Sequence, residues 1–286
     1  MYWISGKPGS GKSSLIRFLT TTCRTNEYLN KWRANCDILS AFIWNAGSPM
    51  QRSQIGLLAT LLHQLLSIRV NTARYLRPQY SKSRKNSITD WSLPELLDCL
   101  VAALGHDETP VCMFIDGLDE IDSQEYGGSH GLLKIVGKIA ALSENIKICV
   151  GSREEPIFVA KLGSAPHLRL QYLTRLDIEK HIGDTLQSTL TSGSDTSSEP
   201  LNDAQINRLT LIIAEKSNGV FLWANLVTKS ILRGLFASDD WNQLQQRIKQ
   251  LPDRLGGLYT EMWNRVNEGD RQLYRAESAL YFRLLL

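Results

Sequence analysis

The most constraining stretch of this 286-residue chain is Gly6-Lys7-Pro8-Gly9-Ser10-Gly11-Lys12-Ser13, which fits G-x-x-x-x-G-K-[ST] at every fixed position. Glycines let the backbone take positive φ and turn successive N–H groups onto phosphate oxygens. A helix read over residues 12–20 aims its positive N-terminal end at the same anion. Lys12 carries a compact charge to the β- and γ-phosphates, and the Ser13 hydroxyl suits Mg²⁺. Lys7, Pro8, Ser10 and Ser14 complete the loop and the first helical turn. A loop of this kind needs a strand before it and a helix after it, which draws the chain towards an α/β fold.

A second run, Val111-Cys112-Met113-Phe114-Ile115-Asp116-Gly117-Leu118-Asp119-Glu120, reads as a buried strand ending in acids. Open α/β sheets bind ligands at the C-terminal ends of their strands, where Asp116 can hold Mg²⁺. Asp119 and Glu120 lie just beyond, placed to polarise a water that attacks the γ-phosphate. A third run, 147–151, ends at Ser152-Arg153, and Arg153 reads as a sensor of that phosphate.

The rest of the first ~170 residues alternates strands with helices, the pattern of a parallel sheet flanked by helices. Strands are expected at 2–5, 40–44, 110–116, 146–151 and 167–170, and helices at 54–68, 93–104 and 132–142. In the second of these helices Pro94 stands near the start and Gly105 after the end. After about residue 171 the pattern becomes wholly helical. Thr174 and Asp177 form a capping-box-like start to a helix through Ile182. Further helices are expected at 202–216, 221–235, 241–250 and 255–266, with a stop at Asn218-Gly219 and a break at Leu251-Pro252. Residues 187–200, rich in Ser, Thr and Gly, and residues 74–92, with the basic run Lys82, Arg84 and Lys85, read as surface loops. The expected organisation is a nucleotide-binding domain over 1–173, a helical subdomain over 174–250, and the start of a winged-helix or helical region over 251–286.

The charge sum, 32 basic against 29 acidic residues, gives +3, too little for the electrostatic footprint of a dedicated nucleic-acid binder, so no nucleic-acid partner is expected. The five cysteines form no CxxC pair and the five histidines no HExxH, which speaks against a disulfide framework and a zinc site. Cys112 and Cys149 read as small core residues, Trp223 as core packing and His63 as a partly buried helix residue. No apolar run reaches the ~18 residues of a membrane span, and a glycine-rich motif stands where a signal peptide's apolar segment would lie. A cytoplasmic chain is expected. The short first strand suggests excision from a longer protein.

Taken together, residues 3–15, 41–47, the Asp116–Glu120 run and 147–153 resemble the fungal NACHT domains, members of the STAND class of signal-transducing P-loop NTPases. Leu170 to Ile178 (LQYLTRLDI), Asn218 to Val227 (NGVFLWANLV) and Leu251 to Tyr259 extend the likeness over nearly the whole chain. The resemblance implies an ATP-dependent switch that self-associates when ATP is bound, joined in a longer parent protein to an effector domain and a repeat array. Two positions depart from the family pattern. Gly219-Val220-Phe221 stands where Gly-x-Pro is common near the adenine, and Arg153 is followed by Glu154-Glu155-Pro156 rather than directly by proline.

The expected function is therefore a switch that binds ATP or GTP with Mg²⁺ and hydrolyses it slowly. The rival readings are a motor or remodelling ATPase, disfavoured by the lack of an evident arginine finger, and a non-hydrolysing scaffold, disfavoured by Asp119 and Glu120.

Overall fold

The computed structural model describes residues 1–80, 85, 87–192, 201–252, 256, 257 and 260. The chain divides into two compact units, Met1–Ser5 with Lys12–Leu168, and Gly6–Gly11 with Arg169–Leu286.

The sheet of the first unit starts from strands β1 (Tyr2–Ser5) and β2 (Asp37–Phe42). Strands β3 (Val111–Asp116), β4 (Ile146–Ser152) and β5 (His167–Arg169) complete it in the order β2-β3-β4-β1-β5. The pairs β1·β4, β2·β3 and β3·β4 are parallel. The crossovers are made by α1 (Lys12–Thr21), α2 (Cys23–Trp32), α3 (Gln54–Ile68), α4 (Val70–Tyr80), α5 (Leu93–Gly105), α6 (Gly128–Ala140) and α7 (Pro156–Leu162). Strand β3 is buried at every position, which is why it reads as an unbroken apolar run. Its period of two still sorts side chains. Val111, Met113 and Ile115 join the core that contains Leu58, Leu61 and Leu100, whereas Cys112 and Phe114 join a smaller core with Ile4, Ile16 and Cys149.

Helices α3 and α5 start where side chains meet backbone N–H groups. Ser53 accepts from Gly56 N at 3.0 Å ahead of α3, and Ser92 with Glu95 forms a capping box ahead of α5.

The second unit carries α8 (Arg175–Ser192), α9 (Asp203–Ser217), α10 (Phe221–Phe236) and α11 (Trp241–Gln250). Capping boxes at Asn202/Gln205 and Asp240/Gln243 open α9 and α11. Trp223 is buried in the core of this unit, and its Nε1 donates to Pro252 O at 2.8 Å. The turn between α9 and α10 is made by Asn218 (φ 49°) and Gly219 (φ 78°). A Cβ at Gly219 would strike the Gln171 carbonyl, so glycine is required there.

Several expected elements shift. Residues 74–80, read as loop, belong to α4. That helix is fastened by contacts that its local sequence does not reveal, including Thr72 Oγ1 to His106 Nδ1 at 3.1 Å and the Tyr75 ring tilted against His106 at 4.2 Å between centroids. The segment read as a loop from 187 stays helical to Ser192. Its hydroxyls bond back along the helix, Thr185 to His181 O at 2.6 Å and Thr189 to Thr185 O at 2.8 Å. Strand β2 begins at Asp37 rather than 40, and α6 begins at Gly128 rather than 132. Helices α2 and α7 were not expected, and α2 buries no residue that would mark it. His63 is exposed rather than partly buried. The helix expected at 255–266, apart from residues 256, 257 and 260, and Lys82 and Arg84 lie outside the described residues.

Candidate functional site

In the first unit, the site gathers at the C-terminal ends of β3 and β4 and the start of α1. Because β4 lies between β1 and β3, its last residues stand beside those of β3. Ser13, in the first turn of α1, hydrogen-bonds to the Asp116 carboxylate, which also accepts from the Gly117 N–H. Asp116 is 4% exposed. Burial pushes its carboxyl above the usual carboxylate range, against those hydrogen bonds and the charge of Lys12. Burial likewise pulls the Lys12 ammonium below its ordinary value, while Asp119 and Asp116 act to raise it. A half-buried cation and a buried carboxylate thus act on one another across the site.

Two glycines make room for this arrangement. Gly117 takes φ 78°, and a side chain there would meet the Ile43 carbonyl. At Gly151 a Cβ would run into Asp116 Oδ1 and Ile16 Cδ1, so β4 can pass the carboxylate only as glycine.

Asp119 is turned towards β4 rather than left free. Its Oδ1 accepts from the Arg153 backbone N–H at 3.0 Å, and its Oδ2 pairs with Arg153 Nε at 3.0 Å. Its side chain is 4% exposed and that of Arg153 is 47% exposed. Glu120 has a different partner, its Oε2 accepting from the Asn45 N–H at 3.2 Å. Asp119 and Glu120, read from sequence as one acidic group, therefore have separate partners. Ser14 is exposed in the first turn of α1.

The loop Gly6–Gly11 belongs to the second unit. Gly9 (φ 73°) and Gly11 (φ 95°) supply its left-handed positions. Ser10 N bonds to Lys7 O at 3.1 Å, and Gly9 O accepts from Leu222 N at 3.1 Å. Lys7 Nζ reaches Asn218 O at 3.3 Å, while Pro8 is exposed. Ser10 is buried and its Oγ has no hydrogen-bond partner among the described residues. An orphaned buried hydroxyl in a glycine-built loop is what a loop made for an external acceptor leaves behind.

Sequence reasoning missed the group that backs Arg153. Ser5, Ser152, Glu154, His167 and Trp3 are joined by hydrogen bonds and stacking. Only their nearness to strand ends could have drawn attention to them.

A G-x-x-x-x-G-K-[ST] loop leading into α1, with a buried carboxylate at the end of the sheet's interior strand β3, marks a P-loop NTPase fold. The chain belongs to the nephrocystin 3 N-terminal family, whose model matches residues 1–153. No curated protein matches it. Among solved structures it is similar to the Aeropyrum pernix ORC2 protein in its ADP form, at 13% identity and a TM-score of 0.46, covering 87% of this chain and 62% of that one. A Walker-type ATPase of Pyrococcus abyssi gives 15% identity and a TM-score of 0.46, covering 86% and 65%. The Aeropyrum pernix ORC1 protein in complex with DNA gives 11% and 0.43, covering 93% and 61%. The chain thus spans less than two thirds of each of these three proteins.

One expectation is corrected here. Nucleic acid was excluded on net charge, yet one of these similar proteins is described in complex with DNA. A sum of +3 over the whole chain does not report how charge is distributed, and phosphate contact depends on local cations. The exclusion does not stand. As for membranes, no helix among the described residues is long and apolar enough to cross one.

Proposed function

We propose that the chain is an ATP-binding switch of the NACHT type that hydrolyses its nucleotide slowly and self-associates in the ATP-bound form. The Gly6–Gly11 backbone and the Ser10 hydroxyl would cradle the phosphates, with Lys12 on the β- and γ-phosphates. Ser13 and Asp116 would hold Mg²⁺, whose charge neutralises phosphate oxygens. Their chemistry suits a hard cation, since both offer oxygen and Asp116 is a buried carboxylate with charge to spare for one. GTP would satisfy the same phosphate contacts. Glu120, or Asp119 once released, would orient the attacking water, and Arg153 would sense the γ-phosphate. An effector domain and a repeat array in a longer parent protein would transmit the state.

The observation that carries this reading is the Asp119–Arg153 pair. The carboxylate best placed to act on a water is occupied by the cation best placed to sense a phosphate. A γ-phosphate competes for that guanidinium, so nucleotide state and the pairing of Arg153 are linked. While the pair persists, chemistry is held back, as suits a switch.

The test is steady-state phosphate release by the purified chain across protein concentrations. Turnover in or below the range of roughly 10⁻⁴ to 10⁻² s⁻¹, typical of unassisted P-loop switches, is expected. Sustained turnover above about 1 s⁻¹ would favour a motor instead.

A further inference from the structure

We infer that His167 is a positioning residue for Arg153, acting through Ser5, Glu154 and Trp3, and that it thereby sets the preference for nucleoside triphosphate over diphosphate. The inference rests on the reading of Arg153 as the γ-phosphate sensor.

The hydrogen-bond directions follow from the donors available. Ser5 Oγ lies 2.8 Å from Glu154 Oε1 and 2.6 Å from His167 Nε2. A carboxylate only accepts, so the single hydroxyl proton of Ser5 goes to Glu154. Ser5 must then accept from His167, whose Nε2 carries a proton. The neutral Nε2–H tautomer and the protonated ring both provide it. The relay is His167 Nε2–H to Ser5 Oγ–H to Glu154 Oε1.

A second relay starts from the same ring. His167 stacks on Trp3, with centroids 4.1 Å apart and planes 9° from parallel. The buried Trp3 indole donates to Ser152 Oγ at 2.9 Å, and that hydroxyl donates to Arg153 O at 3.0 Å. The residues on either side of Arg153 are therefore tied to β1, one by each relay, and His167 touches the β1 member of both. Arg153 itself bonds to Asp119 through its backbone N–H. Each residue of the 152–154 segment is thus held, while the guanidinium stays half exposed.

This arrangement fixes the base of a long side chain whose free rotamers would otherwise have to be ordered each time it meets an anion. Without His167, Ser5 loses its donor and Trp3 its stacking partner, and the segment gains freedom. A γ-phosphate contact made by Arg153 then weakens. The phosphate contacts of the loop and of Lys12 do not involve this segment.

The experiment measures ATP and ADP dissociation constants of the full chain with Mg²⁺ by calorimetry. His167→Ala should lower the ratio Kd(ADP)/Kd(ATP) by roughly 5- to 10-fold, the scale of one ordered long side chain. His167→Gln, which keeps a donor, should restore part of it. Glu154→Ala, a change at a partly exposed position, cuts the first relay at its other end and should act in the same direction. Arg153→Ala should lower the ratio at least as far, leaving only what Lys12 gives the γ-phosphate, and adding His167→Ala to it should change nothing more. Equal weakening of ATP and ADP in His167→Ala would mean a merely structural pin and overturn the proposal, as would additive effects with Arg153→Ala. If Arg153→Ala leaves the ratio unchanged, the sensor reading itself fails and the positioning role falls with it.

Discussion

The two faces of the first unit's sheet are covered unequally. On one, Trp3, Leu39, Met113, Ile115, Ile148 and Val150 meet α3, α5 and α6 in a large continuous core. On the other, Ile4, Cys112, Phe114 and Cys149 meet Ile16 of α1 in a small one, flanked by partly buried residues such as Leu15, Leu19, Ile38 and Phe42. Asp116, Gly151 and Ser13 of the candidate site share this second side, as the alternation along β3 and β4 requires. Placing a carboxylate and an ammonium where water is scarce costs stability. The thick face offsets that cost, and the thin face tolerates the charges because little apolar packing is sacrificed to them. The two thiols fit this picture. Burial pushes Cys112 and Cys149 up to about 12, so they pack as neutral groups rather than react.

The division predicts opposite mutational signatures. Leu58 of α3 is fully buried on the thick face, so Leu58→Ala should cost about 2–5 kcal/mol in urea unfolding. ATP affinity of the folded fraction should stay unchanged. Lys12→Ala should do the reverse. Loss of the loop's ammonium should weaken ATP binding by about 100-fold, the scale of one or two charge-assisted contacts. Stability should hold or rise slightly, because a cation whose burial depresses its pKa is removed. Calorimetry and unfolding on both variants decide the matter. If Leu58→Ala weakens binding as much as Lys12→Ala, the faces are not separable and the comparison fails.

How much of this was legible depended on sequence distance. Helix α3 appears over residues 54–68, and β3 ends at Asp116, because apolar spacing and a local motif determine both. Loop, Lys12 and Ser13 are contiguous, so their nearness needed no fold. The Asp119–Arg153 pair could not be read, since it depends on β4 lying beside β3. Helix α4 was hidden for a similar reason. Its entry is pinned by Arg69, which pairs with Asp37 at 2.7 Å and Asp107 at 2.8 Å, partners more than thirty positions away in both directions. His167 showed nothing in the sequence, because its significance lies wholly in which strand ends it touches.

The smallest predicted effect tests the thick face from its edge. Glu95, at the third position of α5, accepts from Ser92 N at 2.9 Å and pairs with Lys85 Nζ at 2.6 Å. The Lys85 ammonium, followed by the Ser92 hydrogen bonds, lowers its carboxyl from 4.5 to about 2. The folded value lies below the unfolded one, so the ionised group favours the folded state at pH above about 4.5. That contribution fades as pH falls and is gone below about 2. Glu95→Gln keeps a capping side chain at this position but removes the charge. The variant should be less stable than the parent near neutral pH, and the two acid-unfolding curves should converge as pH drops towards 2. Because α5 packs on α3 in the large core, the loss should show in unfolding and not in ATP affinity. A constant gap between the curves from pH 7 to 2 would mean that the carboxylate's charge is not what holds the start of α5.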